Sequence, residues 1–426
     1  MSEILKAIKS ELPNGVVSEA IFEGANIVLY TTDKEFFRNS DEKIRDVVKQ
    51  VKKRIELRAD TSLLAPQEET EKTIRELVPS EANIESVIFD VQRSIAIVEA
   101  KRPGIVIGKQ GSILKEIRNS TMWTIQTQRS PAIHSKITEK IRDVLYANNA
   151  YRKKFLNEIG KKIYENWNPE KMDIWVRLTY LGSGRQVGRS CLLLQTPKSK
   201  VIFDCGINPG IVDGPERFPY LNVSEVGDLA SIDAIVLSHA HLDHSGLIPY
   251  LFKMGYRGPV YMTPPTRDLA ALLALDLVGV TYKQAEAPIY KQEDVKEMVR
   301  HSICLDFGEV FDITPDIRIT FYNAGHVLGS AVTHVNIGNG LHNFVYTGDS
   351  NYRKTRLLDP AVNYYPRVES VMVESTYGSK DQIQPPLFEV EEKFLSLVKE
   401  TISRNGKILL PELGLGHAQE TLLRVE

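Results

Sequence analysis

Three of the chain's nine histidines fall within six positions, together with one aspartate, in His239-Ala240-His241-Leu242-Asp243-His244. A histidine satisfied in a core explains one such residue, but three in a polar loop point to metal-ligand chemistry. The H-x-H-x-D-H spacing lets one loop offer His239 and His241 to one ion, and Asp243 and His244 to a neighbouring ion. His326, in Gly325-His326-Val327-Leu328-Gly329-Ser330, would complete three nitrogen ligands on the first ion. Asp349, in Thr347-Gly348-Asp349-Ser350, is placed to bridge the two. Imidazole and carboxylate donors suit zinc, with iron and manganese as alternatives. Two divalent ions about 3.5–4 Å apart lower the pKa of a shared water and cradle a phosphoryl or carbonyl oxygen.

A second constellation is Gly108-Lys109-Gln110-Gly111, read as following an apolar strand (Ile105-Val106-Ile107) and opening the helix Ser112 to Arg118. Two glycines let a backbone approach closely, a helix N-terminus offers unpaired N–H groups, and Lys109 adds positive charge. That combination can clamp a sugar-phosphate backbone. The same four residues also occur by chance as a tight turn, so the charge around them matters. Residues 101–162 carry 14 Lys+Arg against 4 Asp+Glu, whereas residues 171–426 carry 25 against 30. The overall net charge of −2 argues against a uniformly basic nucleic-acid coat and conceals one segment suited to an anionic partner.

The elements that must position these residues follow from the apolar pattern. The first 135 or so residues read as one unit used twice, each helix–strand–strand–helix–strand, with Ile27-Val28-Leu29-Tyr30 answered by Ile95-Ala96-Ile97-Val98. The first unit has Asp33 to Asn39 where the second has its glycine pair. A long polar-basic helix is expected over about Ser135 to Asn166, ended by Trp167-Asn168-Pro169, either as a solvated connector or as a backbone-tracking arm. From Ile174 the pattern becomes short apolar strands separated by turns. Asp204, the histidine loop, His326 and Asp349 each lie just past a strand end, where loops gather on a rigid sheet.

Cys191, Cys205 and Cys304 are odd in number and far apart, so they suggest no disulfide framework and no zinc ribbon. The first residues carry no apolar signal region. The most apolar stretch, Leu269 to Val280, is interrupted by Asp276 and reads as a core helix. The expectation is a cytoplasmic protein with no membrane segment.

The second N-terminal unit resembles a KH domain through Val106-Ile107-Gly108-Lys109-Gln110-Gly111, and the first resembles a degenerate KH-like partner. The resemblance implies binding of short single-stranded RNA or DNA, with Gly108, Lys109, Gln110 and Gly111 in contact with it. Asp204, His239 to His244, His326 and Asp349 resemble the first four motifs of the metallo-β-lactamase superfamily, in which Asp204 would orient the histidine loop through hydrogen bonds. Glu374-Ser375-Thr376-Tyr377-Gly378 is similar to the β-CASP branch, whose members cut nucleic acids. Gly416-His417-Ala418-Gln419-Glu420 resembles that branch's Gly-Arg-Ala-Gln-Glu helix start, with His417 in the arginine's place.

Together these parts resemble the archaeal ribonucleases related to the cleavage and polyadenylation specificity factor, a group described as transcription termination factors. The implied fold class is α+β and α/β multidomain. KH-like units cover 1–69 (degenerate) and 70–138, and a basic helical linker covers 139–172. The N-terminal part of a metallo-β-lactamase domain covers 173–383, and a partial β-CASP insertion covers 384–426.

The resemblance implies two zinc ions per complete site, with Asp243, Asp349 and Glu374 in catalytic roles. It implies endonucleolytic RNA cleavage, with 5′ to 3′ trimming as a second mode, at transcript 3′ ends beside RNA polymerase. The family forms homodimers. Its leaving-group histidine, paired with Glu374, and the last ligand of the second zinc lie further along than residue 426, so 1–426 is expected to bind RNA and cleave it poorly. The alternatives are an RNA-binding scaffold and another hydrolase of the same fold.

Overall fold

The computed structural model describes residues 2–131, 135–165, 170, 173–212 and 214–426. The chain divides into two compact units: Met1–Pro169 with Val299–His301 and Asp312–Pro315, and the remainder.

The first unit contains the repeat. Strands β1 (Glu19–Glu23), β2 (Asn26–Thr31) and β3 (Ile55–Ala59) follow the helix Glu3–Ser10. Strands β4 (Ile84–Asp90), β5 (Ile95–Ala100) and β6 (Thr124–Arg129) follow the helix Gln67–Leu77. In each, the first two strands pair antiparallel across a tight turn, and the third pairs parallel to the second after a helical crossover. A parallel partner requires such a crossover, so the order of elements dictates the sheet. Ile74, Val78, Ala82, Val98, Ala100, Val106 and Ile117 form the core beneath the second sheet.

Two local expectations are corrected. Ile105-Val106-Ile107 is not a strand but the end of a short helix, Pro103–Ile107, with the proline at its first turn. Proline's fixed φ suits that position, and three apolar residues are too few to reveal a period. Val106 is buried, whereas Ile107 is exposed. The long basic helix is two helices, Lys136–Tyr146 and Asn149–Ile163, and between them Asn148 Nδ2 donates to the Val144 carbonyl (2.8 Å). The second buries Phe155, Leu156, Ile159 and Ile163, and a Cβ on Gly160 would meet Phe22 at 2.1 Å. Its lysines therefore occupy the outer face of a packed helix. The Trp167-Asn168-Pro169 stop lies outside the described residues.

The second unit is built on two sheets. In the first, β7 (Arg177–Tyr180), β8 (Leu192–Gln195) and β9 (Lys200–Phe203) pair antiparallel. Beyond β9, β10 (Ala234–Val236), β11 (Val260–Met262) and β12 (Ser302–Cys304) run parallel. The second sheet has the order β13 (Val310–Asp312), β14 (Ile317–Asn323), β15 (Ala331–Ile337), β16 (His342–Tyr346), β17 (Ser370–Met372). Phe203 of β9 meets Phe344 and Tyr346 of β16 edge to face, at 6.2 and 5.6 Å between centroids, which brings the faces of the two sheets together. The residues after β9, β10, β14, β16 and β17 are Asp204, the histidine loop, the His326 loop, Asp349 and Glu374. Among the described residues, no helix is long and apolar enough to cross a membrane.

Candidate metal centre

Asp204 organises the site from beneath. It is fully buried and held at φ +56°, a left-handed conformation that costs a non-glycine residue about 1–2 kcal/mol. Its carboxylate accepts four hydrogen bonds: from Ser238 N and Oγ (both 2.7 Å), His244 Nδ1 (2.7 Å) and the Tyr346 hydroxyl (2.6 Å). Those bonds fix the backbone after β10 and turn His244 so that Nε2 faces Asp349 Oδ1 at 3.3 Å. The Asp243 carboxylate lies 3.8 Å from the same nitrogen.

The structure brings His239, His241 and His326 together, with one donor nitrogen from each within 4.8 Å of the others. His326 Nε2 and His241 Nδ1 are 3.1 Å apart, and His326 Nε2 lies 3.6 Å from Asp349 Oδ2. A second group joins His239, His244 and Asp349 within the same limit. His239 thus sits between the two groups, a position that the sequence spacing did not indicate, while Asp243 stands at the edge of the second group.

The His239 ring shows how well these residues fit a cation. Ser238 Oγ occupies its Nδ1 (3.0 Å), and its buried Nε2 has no hydrogen-bond partner among the described residues. An orphaned nitrogen in a buried site is costly unless something else satisfies it. Burial, reinforced by the neighbouring imidazoles, holds the pKa of His239 well below the usual value; burial also lowers that of His326, to about 4. Both rings are therefore neutral donors at pH 7. Burial opposes ionisation of Asp349, but the His244 contact outweighs it and lowers its pKa to about 2. Burial lowers the pKa of His241 as well, so three neutral imidazoles facing an ionised carboxylate make a donor set for a divalent cation.

Sequence reasoning missed two contributors. Tyr346 supplies one of the four bonds on Asp204. The Leu415 carbonyl lies 3.3 Å from His241 Nε2, orienting that ring so that Nδ1 faces His326. A tyrosine ending an apolar strand and a leucine carbonyl carry no signature in sequence. Glu374 is exposed, and its carboxylate accepts from Thr376 N (2.9 Å) within its own loop. With Asp243, His244 and Asp349 it lines a cavity of about 440 Å³.

In the first unit, Gly108 and Gly111 have φ of +73° and +77°, with Lys109 and Gln110 exposed between them. Gly111 precedes the helix Ser112–Thr121, whose first amides receive no side-chain cap. In the preceding repeat, Asp33 Oδ1 already accepts from Glu35 N and Phe36 N (2.9 and 3.0 Å). That helix start has been closed by a carboxylate, which would also repel a phosphate.

Comparison with known proteins places these observations in families. Residues 1–64 match the KH domain of transcription termination factor FttA, residues 69–144 a KH domain, and residues 193–375 a metallo-β-lactamase superfamily domain. Transcription termination factor FttA of Methanothermobacter thermautotrophicus is 45% identical over 100% of this chain and 67% of its own length. FttA of Methanosarcina mazei is 45% identical over 98% of this chain and 65% of its own. The chain thus spans about two thirds of the length of these relatives. Among solved structures, the metallo-β-lactamase fold protein YhfI from Bacillus subtilis overlaps at a TM-score of 0.27 and 20% identity, covering 42% of this chain and 64% of that one.

Proposed function

The chain belongs to the family of archaeal transcription termination factors FttA, and from that membership we propose that it is a zinc-dependent RNA-cleaving protein acting in transcription termination. The observation that carries this reading is the convergence of His239, His241, His244, His326 and Asp349 around a buried nitrogen with no hydrogen-bond partner among the described residues. When bound, the ions would supply an activated water and neutralise charge on a phosphoryl group. The chain's own residues do the rest. Asp204 fixes the tautomer of His244 by accepting from Nδ1, the Leu415 carbonyl orients His241, and Asp349 provides an ionised carboxylate between the two groups.

Substrate presentation falls to the second KH unit. Its glycine pair and open helix start hold a backbone, and Lys109 supplies charge, which together suit single-stranded RNA. Glu374 would support proton transfer to the leaving group within a β-CASP arrangement, and RNA polymerase is the partner that a role in termination suggests. RNA hydrolysis by this chain with zinc should disappear on chelation and in His239→Ala. Cleavage that survives either treatment contradicts the reading.

A further inference from the structure

The loop between β7 and β8, Gly182 to Gly188, forms one wall of the cavity that contains Asp243, His244 and Asp349. Both of its ends are tied to the backbone carrying the site. Leu181 and Gly182 donate to the Cys191 carbonyl (3.0 and 3.1 Å), Arg189 N donates to Ile207 O (3.0 Å), and Ser190 N donates to Asp243 O (2.8 Å). Gly182 admits no side chain, since a Cβ there would lie 1.9 Å from Arg189 O. Between these anchors, Ser183, Gly184 and Arg185 all adopt left-handed φ of +61°, +61° and +67°. Two of the three are not glycine, so the turn stores strain that the anchored ends impose.

The cavity wall is electrostatically unbalanced. It carries the carboxylates of Asp243, Asp349 and Glu374, and Arg185 is the single Lys or Arg among its lining residues. Arg185 is exposed, and among the described residues it makes no hydrogen bond or ion pair. A guanidinium presents a planar fork that matches a phosphate bidentately and cannot lose its proton at physiological pH. With cations on the carboxylates, the cavity would hold one side of a phosphodiester, and the Arg185 fork would be available for its remaining oxygens.

We propose that Arg185 is the anion-binding arm of this cavity, gripping a non-bridging oxygen of the RNA backbone. The assignment rests on the reading of the site as a phosphodiester-binding metal centre. It adds a residue outside the ligand set, on a loop held in place through its bond to Asp243.

The test uses inorganic phosphate as the probe, titrated calorimetrically into the zinc-loaded full chain, with zinc content measured in parallel. Arg185→Gln should weaken phosphate binding about tenfold, and Arg185→Lys should recover part of that loss as a point charge without the fork. Zinc content should be the same in all three proteins. Arg185→Gln binding phosphate as tightly as the parent would overturn the assignment of Arg185 and leave the metal centre standing. A zinc-loaded parent that binds no phosphate would overturn that assignment together with the reading of the centre as one that binds a phosphodiester.

Discussion

At the residue scale, the candidate metal ligands stand out in the sequence because coordination chemistry restricts residue type and spacing so tightly. The supports do not, because a buried carboxylate, a phenol and a backbone carbonyl are ordinary until their partners are known. Asp204 was legible as a support only through resemblance, and the structure gives its physical role: four donors converge on one carboxylate. Asp204→Asn should keep the fold of the sheets but release His244, lowering metal affinity about 10- to 100-fold, as loss of an outer hydrogen-bond partner generally does. Competition against a chromophoric chelator measures that directly; unchanged affinity would show that His244 is held by something else. Tyr346→Phe removes one of the four bonds and should cost less.

At the element scale, strand–loop placement was readable and helix detail was not. Residues 103–107 were misread because a five-residue helix shows no period, and the break at Ala147–Asn148 was hidden within a continuous polar pattern. Long-range packing between strands and loops was equally invisible. Gly206, just after β9, admits no Cβ because one would lie 1.7 Å from Asp243 O. Gly206→Ala must therefore push the histidine loop away, and zinc content after dialysis should fall well below that of the parent.

The buried pairing of Glu23 with Arg58 and Arg93 joins β1 of the first repeat to β3 and to the turn before β5, and nothing in the local sequence announced it. Burial disfavours charge on Glu23, but the two guanidinium groups outweigh that and hold its pKa well below the ordinary carboxylate range. Its contribution is therefore fully present at neutral pH and is lost only as pH falls below that range. Glu23→Gln should cost about 3 kcal/mol at pH 7, because it leaves the buried Arg58 with Glu56 alone and Arg93 with Asp90 alone. Urea unfolding at pH 7 and again in acid should show the deficit shrinking; an equal deficit at both would contradict the pairing.

At the scale of the whole molecule, the charge asymmetry in the sequence has a structural counterpart. The basic segment lies in the unit that carries the glycine clamp, and the acidic remainder carries the cluster of histidines and aspartates. Binding of RNA and binding of metal should therefore be separable. Replacing Lys109 and Gln110 together by Asp should weaken single-stranded RNA binding at least about tenfold through repulsion of phosphate, with zinc content unchanged.

Elemental analysis of the dialysed protein tests whether His239 lies at the middle of a divalent metal centre. At least one divalent ion per chain in the parent, with clearly less retained in His239→Ala, is the predicted result. A parent that holds no divalent metal, or a His239→Ala variant that holds as much as the parent, would contradict it.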